Sequence, residues 1–173
     1  MKKLIIFGSS GRLGNYLKKK LKNNYKLYAF GRKRNKYEVN LSKRKEIEKV
    51  IYKIDPDIII NCAGATDVNK CIKDNNFAYR GNVIIPQNIE SVLKKYKKQV
   101  HIIHFSTDQV YNSKSKRSLE NESNLTNNYS KTKFFGEKKI RKLKNHTIIR
   151  TNFYGDLLSK KHKSFSGFII DNV

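Results

Sequence analysis

The chain has 173 residues, of which 38% are hydrophobic and 11% aromatic, so it can form one folded core and is not a disordered polypeptide. It contains no apolar run near the roughly 20 residues that a membrane-spanning helix needs. The formal net charge of +24 fits either a nucleic-acid-binding protein or a chain that is simply rich in lysine. We favour the second interpretation and expect no nucleic-acid partner, because no zinc-finger, helix-turn-helix or RNA-recognition motif accompanies the lysines.

Neither the N-terminus nor the cysteines indicate export from the cytoplasm. The apolar segment Leu4–Phe7 ends at Gly8, which makes it too short for a secretion signal and typical of a buried strand. The two cysteines, Cys62 and Cys71, are too few for a disulfide framework and have no cysteine or histidine at metal-ligand spacing. We therefore expect reduced thiols, no bound metal and a cytoplasmic location.

Short apolar segments alternate with longer amphipathic segments along the chain. The predicted strands are Lys3–Phe7, Tyr25–Phe30, a weaker Lys36–Val39, Asp57–Cys62, Val100–Phe105 and Thr147–Arg150. The predicted helices are Leu13–Asn23, Ser42–Ile54, Asn82–Tyr96 and Tyr129–Leu143. This alternation is typical of βαβ units, so we expect an α/β fold with a doubly wound parallel sheet. The polar stretch Asn112–Asn128 has no periodicity and is predicted to be a loop at the functional end of the sheet.

Three glycines, Gly8, Gly11 and Gly14, lie between the first predicted strand and the first predicted helix. Glycine permits a tight turn and a close backbone approach there, and the helix N-terminus supplies amide donors for a phosphate group. Because the spacing occurs between a strand and a helix, it predicts binding of the pyrophosphate of a dinucleotide, NAD or NADP.

A basic segment, Gly31–Arg34, follows the second predicted strand, where a fold that prefers NAD usually carries an acidic residue. Arg32 would bind the 2′-phosphate of NADP through charge-assisted hydrogen bonds. A solvated loop in a basic protein fits the same residues equally well. We take NADP as the expected cofactor, with NAD as the alternative.

Two later segments carry groups suited to proton transfer. Thr107 follows the predicted strand Val100–Phe105, at the edge where a parallel sheet presents catalytic groups. Tyr129 and Lys133 are four residues apart and so share one face of a helix. A neighbouring ammonium would lower the phenol pKa from its usual value of about 10, and Thr107 would hold the reacting oxygen. A surface pair with this spacing is the alternative in a lysine-rich chain, but the order of the motifs favours a catalytic site.

These motifs, in this order, resemble the extended short-chain dehydrogenase/reductase family and, within it, the dTDP-4-dehydrorhamnose reductase (RmlD-like, sugar-nucleotide-binding) branch. The resemblance is carried by Gly8–Gly14, Asn61–Thr66, Ser106–Tyr111, Tyr129–Lys133 with Gly136-Glu137, and Arg150–Gly155. It implies an NAD(P)-dependent oxidoreductase that reduces a keto-sugar nucleotide for surface polysaccharide synthesis. An epimerase or dehydratase of nucleotide sugars and a non-catalytic dinucleotide-binding subunit are the alternatives.

The resemblance also implies roles for individual residues. Thr107, Tyr129 and Lys133 would form the catalytic triad, in which Tyr129 donates the proton and Lys133 also binds the nicotinamide ribose. From the motifs above and the resemblance taken together, the predicted cofactor-binding residues are Gly8, Gly11, Arg12, Leu13, Gly14, Arg32, Asn40, Leu41, Ala63, Gly64, Ala65, Tyr129 and Lys133. Members of the family often dimerise through the helices that correspond here to residues 82–96 and 129–143.

The chain departs from the family pattern in three places. Asn40 stands where the family commonly has an aspartate, and a proline that usually precedes the catalytic tyrosine is missing from residues 125–128. Relatives also continue past the position of Val173 to build the sugar-nucleotide pocket. We therefore expect a dinucleotide-binding domain over residues 1–155 and the start of an incomplete substrate-binding region over residues 156–173.

Overall fold

The computed structural model describes residues 1–31, 37–111 and 118–152. Its strands are β1 (Lys3–Phe7), β2 (Lys26–Gly31), β3 (Tyr37–Glu38), β4 (Ile58–Asn61), β5 (His101–Ser106) and β6 (His146–Arg150). They form one sheet in the order β3-β2-β1-β4-β5-β6, and every neighbouring pair is parallel. This is the strand order of doubly wound dinucleotide-binding folds. The predicted fold class is confirmed.

Six helices connect the strands within the described ranges. They are α1 (Arg12–Leu21), α2 (Arg44–Ile54), α3 (Val68–Lys73), α4 (Asn75–Tyr79), α5 (Ile85–Lys95) and α6 (Asn128–Ile140). A π-helical turn at Arg80–Ile84 joins α4 to α5, and a 3-10 turn at Asp108–Val110 follows β5. None of these helices is long and apolar enough to cross a membrane.

The sequence did not predict the short helices α3 and α4. Their N-termini are capped by aspartates: Asp67 accepts a hydrogen bond from the Lys70 amide at 2.9 Å, and Asp74 accepts one from the Phe77 amide at 2.9 Å. Caps of this kind stabilise helices whose apolar pattern is too short to detect. In the predicted loop, the described residues 118–127 contain neither helix nor strand.

Alternate residues of β1 belong to two apolar clusters on opposite faces of the sheet. On one face Leu4 and Ile6 pack against α1 through Leu17. The cluster on the other face includes Ile5, Phe7, Ile47, Ile51, Ile59, Ile89, Val92, Ile102 and Ile140. A fully buried isoleucine contributes about 1.5–3 kcal/mol relative to an exposed one, so the sheet is fixed firmly from both sides.

The parallel strands end at a common edge, which we call the carboxyl edge of the sheet. The end of β1 lies beside the end of β4, with Phe7 paired to Asn61, and Asn61 is in turn paired to His104 of β5. The strand order reverses direction between β1 and β4, because β2 lies on one side of β1 and β4 on the other. Ligands of doubly wound sheets bind in the crevice at this reversal.

Candidate active site

The glycine turn after β1 contains three glycines with different structural requirements. Gly8 has a positive φ of 83°, and a Cβ there would lie 2.6 Å from the amide nitrogen of Ala63. A Cβ on Gly14 would collide with the Gly8 carbonyl oxygen. Gly11 is different, because its Cβ would make only an ordinary contact of 3.4 Å with that oxygen. The fold therefore requires glycine at 8 and 14, whereas at Gly11 the lack of a side chain leaves space for another molecule.

The N-terminus of α1 opens onto this turn. Gly11 is the N-cap, has no side chain to satisfy the first amides and is followed by no acidic residue in the first turn. Arg12 is exposed and Leu13 is half-buried. The backbone amides and the positive dipole of a helix N-terminus without a side-chain cap are suited to a phosphate group. Arg12 adds a guanidinium to the same end of the helix.

Asn40 and Leu41, two of the predicted cofactor-binding residues, have structural contacts of their own. The Asn40 side chain accepts a hydrogen bond from the Ser42 amide at 3.0 Å. Leu41 is buried in the core, and its carbonyl accepts a hydrogen bond from Asn88 at 3.0 Å. Their role in cofactor binding stays a prediction.

A hydrogen-bonded pair fixes the loop that follows β4. Asn61 is fully buried, and its side-chain oxygen accepts a hydrogen bond from the Ala63 amide at 3.1 Å. Its amide nitrogen lies 3.0 Å from Nδ1 of His104. Burial lowers the pKa of His104 well below its usual value, so the ring is neutral and Nδ1 accepts this bond. The Ala63–Ala65 loop is therefore anchored to β5 through two buried side chains.

Asn82, in the π-helical turn, connects the same loop to α6. Its side-chain oxygen accepts a hydrogen bond from the Ala65 amide at 2.8 Å, and its nitrogen donates to the Ala65 carbonyl at 3.1 Å and to Thr132 at 3.2 Å. A Cβ on Gly136 would collide with the Asn82 carbonyl, so a glycine is needed for α6 to approach. Sequence reasoning did not identify Asn82 as a residue of the site. Its only local signal is the π turn, a feature that is frequent at functional sites but that has no clear sequence pattern.

The structure brings Thr107, Tyr129 and Lys133 together at the carboxyl edge. Their exposed fractions are 4%, 8% and 6%, which excludes a surface pair. The Tyr129 hydroxyl lies beside the Thr107 side chain, near enough for that side chain to influence the phenol pKa. Lys133 donates a hydrogen bond of 2.6 Å from Nζ to the carbonyl of Phe105. A Cβ on Gly64 would lie 3.8 Å from the same Nζ, so Lys133 also borders the loop after β4.

A capping box sets the position of Tyr129 on α6. The Asn127 side chain accepts a hydrogen bond from the Ser130 amide at 2.8 Å, and the Ser130 hydroxyl accepts one from the Asn127 amide at 3.4 Å. These reciprocal bonds begin the helix at Asn128 and so place Tyr129 in its first turn. The missing proline before Tyr129 therefore does not prevent the helix from starting here.

The pKa of the tyrosine differs from our expectation. Burial raises the pKa of Tyr129, and the hydrogen bond to Thr107 only partly opposes this effect. Burial also lowers the pKa of Lys133 to about 8, against an opposing effect of Glu137. The prediction that Lys133 lowers the phenol pKa is wrong for this arrangement, because loss of solvation dominates and the ammonium is directed to the Phe105 carbonyl. Tyr129 is a protonated phenol at neutral pH.

Some predicted features lie outside the described residues. They are Arg32 with the rest of residues 32–36, residues 112–117 of the predicted loop, and residues 153–173, including the boundary expected near residue 155. Among the described residues there is no cluster of three His, Cys, Asp or Glu side chains that could hold a metal ion.

The strand order, the glycine turn before α1 and the buried Thr–Tyr–Lys cluster together define a Rossmann domain of the short-chain dehydrogenase/reductase class. The sequence matches the profile of the RmlD substrate binding domain over residues 1–173, and the chain belongs to that family.

Named relatives agree with this assignment. The spore coat polysaccharide biosynthesis protein SpsK of Bacillus subtilis is 31% identical over 160 residues, which cover 90% of this chain and 54% of SpsK. The crystal structure of a dTDP-4-dehydrorhamnose reductase from Clostridium acetobutylicum superposes with a TM-score of 0.81 at 27% identity, covering 98% of this chain and 59% of that one. The Bacillus anthracis dTDP-4-dehydrorhamnose reductase in complex with NADP superposes with a TM-score of 0.79 at 27% identity, covering 90% of this chain and 56% of that one. The chain spans about half the length of the curated relatives it matches.

Proposed function

We propose that this chain is the dinucleotide-binding part of an NADPH-dependent reductase that acts on a keto-sugar nucleotide in surface polysaccharide synthesis. The observation that carries the proposal is the buried cluster of Thr107, Tyr129 and Lys133 at the carboxyl edge. The relatives support it, since two are named dTDP-4-dehydrorhamnose reductase, one of them solved with NADP, and a third is named for polysaccharide biosynthesis.

The described residues fit a dinucleotide. Gly11 has no side chain to cover the N-terminus of α1, where the backbone amides and Arg12 would bind the pyrophosphate. The Ala63–Ala65 loop would follow the cofactor toward Lys133, which would bind the nicotinamide ribose. Arg32 would bind the 2′-phosphate of NADPH, which NADH lacks, and would therefore favour NADPH over NADH. When bound, the reduced nicotinamide supplies the hydride.

The protein side chains supply the proton. Tyr129 is protonated at neutral pH because burial raises the pKa of its phenol, so it can donate a proton to the oxygen of the reduced carbonyl group. Thr107 lies beside this hydroxyl and would orient it toward the reacting oxygen. Lys133, whose pKa is about 8, is mostly protonated at pH 7, and its ammonium would bind the nicotinamide ribose.

The test uses the full chain with NADPH, with NADH and with a dTDP-4-keto-sugar. We expect NADPH to bind more tightly than NADH, and absorbance at the nicotinamide band to fall as the sugar is reduced. An epimerase would convert the sugar with no net loss of NADPH. Binding without turnover would agree with a chain that is only the dinucleotide-binding part as well as with the non-catalytic alternative, whereas absence of binding to either dinucleotide would contradict the proposal.

We also propose that the protein forms a homodimer through the helices that cover residues 82–96 and 129–143. Phe135 lies on α6, one of these two helices, and is 44% exposed, so its ring is accessible to a partner subunit. Light scattering after size exclusion should give the mass of a dimer for the unmodified chain and of a monomer for Phe135→Glu. A monomeric unmodified chain would contradict this proposal. The cytoplasmic location and the absence of a nucleic-acid partner stay predictions.

A further inference from the structure

A buried ion pair lies one helical turn beyond Lys133. Glu137 is fully buried, and Arg150 donates to its carboxylate from Nε to Oε1 at 3.0 Å and from Nη2 to Oε2 at 2.7 Å. The Ser106 hydroxyl donates to the same Oε1 at 2.5 Å, and Arg141 lies 3.5 Å from Oε2 on the outer side. A carboxylate can be buried only with partners of this kind, and two parallel bonds from one guanidinium fix its orientation as well as its charge.

Arg150 extends this pair to the segments that surround the proposed catalytic residues. Its side chain is 7% exposed, and Nη1 donates to the Glu120 carbonyl at 2.9 Å. Its guanidinium carbon lies 4.8 Å from the centre of the Tyr111 ring. The pair therefore joins α6, the end of β5, the turn after β5 and the segment near residue 120. Ser106, which it holds, directly precedes Thr107.

Stability alone is a weak explanation for this arrangement. Replacing a buried ion pair by apolar residues of similar size is often neutral or stabilising. What the pair provides is a fixed negative charge close to Lys133 and a fixed connection to the residue before Thr107.

We propose that Glu137 and Arg150 are positioning residues, whose ion pair holds Thr107 in place and keeps Lys133 in its charged form at the carboxyl edge. This inference rests on the proposed function for its role in the reaction, but the arrangement itself is independent of it.

The charges around Lys133 agree with this assignment. Burial raises the pKa of the Cys62 thiol to about 12 and lowers that of His104 well below its usual value, so both face Lys133 as neutral groups at pH 7. Tyr129, on the same helix, is also neutral. Glu137 contributes the negative charge that raises the pKa of Lys133 against the effect of burial. Without the Glu137 carboxylate, the Arg150 guanidinium would have no counter-ion there, and its repulsion would further disfavour a charged Lys133.

The first experiment follows the titration of Lys133 in the full chain labelled with [13Cε]lysine, with its resonance assigned by Lys133→Met. We expect a midpoint near pH 8 in the unmodified chain and a midpoint lower by about one pH unit in Glu137→Gln, a tenfold change in the protonation equilibrium. Glu90→Gln is the matched control, because Glu90 is also nearly buried and is paired with Lys94 at 2.6 Å on α5. It should leave the titration unchanged.

A second variant covers the case in which Glu137→Gln fails to fold. Glu137→Gln combined with Arg150→Met removes both charges, so it should recover the melting temperature without returning the Lys133 midpoint to its original value. A midpoint within about 0.2 pH units of the unmodified chain, in either folded variant, overturns the proposal.

Binding of NADPH separates this proposal from the proposed function. If the ammonium is needed for binding, Glu137→Gln should weaken NADPH about fivefold at pH 8 and less than twofold at pH 6.5. If the unmodified chain does not bind NADPH, the proposed function fails while the titration still tests the ion pair. If the unmodified chain binds NADPH and Glu137→Gln binds it equally at both pH values, the positioning role is wrong.

Discussion

The carboxyl edge of the sheet is built differently on its two sides. In the turn after β1 the backbone determines the geometry: Gly8 has a positive φ, and Gly14 allows no side chain. Around β5 and α6 the geometry depends on buried polar side chains such as Tyr129 and Lys133, which are held by hydrogen bonds and charge. Substitutions on the first side should therefore act through folding and steric access. Those on the second side should act through proton affinity and chemistry.

The largest effect is expected on the glycine side. Gly14→Ala places a Cβ against the Gly8 carbonyl oxygen, and the free energy of unfolding should fall by about 3 kcal/mol or more. Gly11→Ala, three positions earlier, is the control and should change it by less than about 0.5 kcal/mol. Urea unfolding measures both. Equal stabilities of the two variants would show that the turn is not fixed by its backbone.

The next largest effect is expected on the polar side. Tyr129→Phe removes the proton donor but keeps the ring, so kcat should fall by about 10² or more, while NADPH binding and melting temperature change little. Tyr52→Phe, at a tyrosine that is 53% exposed, should leave turnover unchanged. If Tyr129→Phe retains full turnover of the keto-sugar, Tyr129 does not donate the proton.

A third prediction returns to the glycine side. A Cβ at Gly11 would make only an ordinary contact of 3.4 Å, so Gly11→Val should weaken NADPH binding at least about tenfold, by blocking the approach to the N-terminus of α1, with little change in melting temperature. Titration calorimetry and thermal unfolding measure the two quantities. Unchanged binding would mean that the dinucleotide does not approach Gly11.

The smallest effect concerns the stability cost of Lys133. Its pKa is about 8 in the folded chain and about 10.4 when unfolded, so between these values the unfolded state binds more protons and stability rises with pH. Lys133→Met should therefore raise the free energy of unfolding by about 1–2 kcal/mol at pH 7. This gain should shrink by pH 9.5. The exposed Lys131 provides the control, Lys131→Met. A gain that does not depend on pH would contradict the explanation.

The two sides also differ in how much the sequence could predict. The alternation of apolar segments predicted the order and type of the long elements, and the order of the motifs predicted that Thr107, Tyr129 and Lys133 lie together, as they do in the structure. The direction of the Tyr129 pKa shift could not be read in the same way, because it depends on burial by segments far away in the sequence. Asn82 was missed for a similar reason, since its partners are a loop and a helix that only the fold brings together.

The π-helical turn at Arg80–Ile84 has a consequence for how insertions and deletions are tolerated. Such a turn contains one residue more than an α-helical turn. Removing one residue from it would rotate α5 by about 100° relative to α4, so that Asn82 could contact Ala65 or Ile89 could enter the core, but not both. The extra residue lets one continuous helix satisfy two separate packing requirements. A single-residue deletion here should be far more harmful than a deletion at the ends of the same helix.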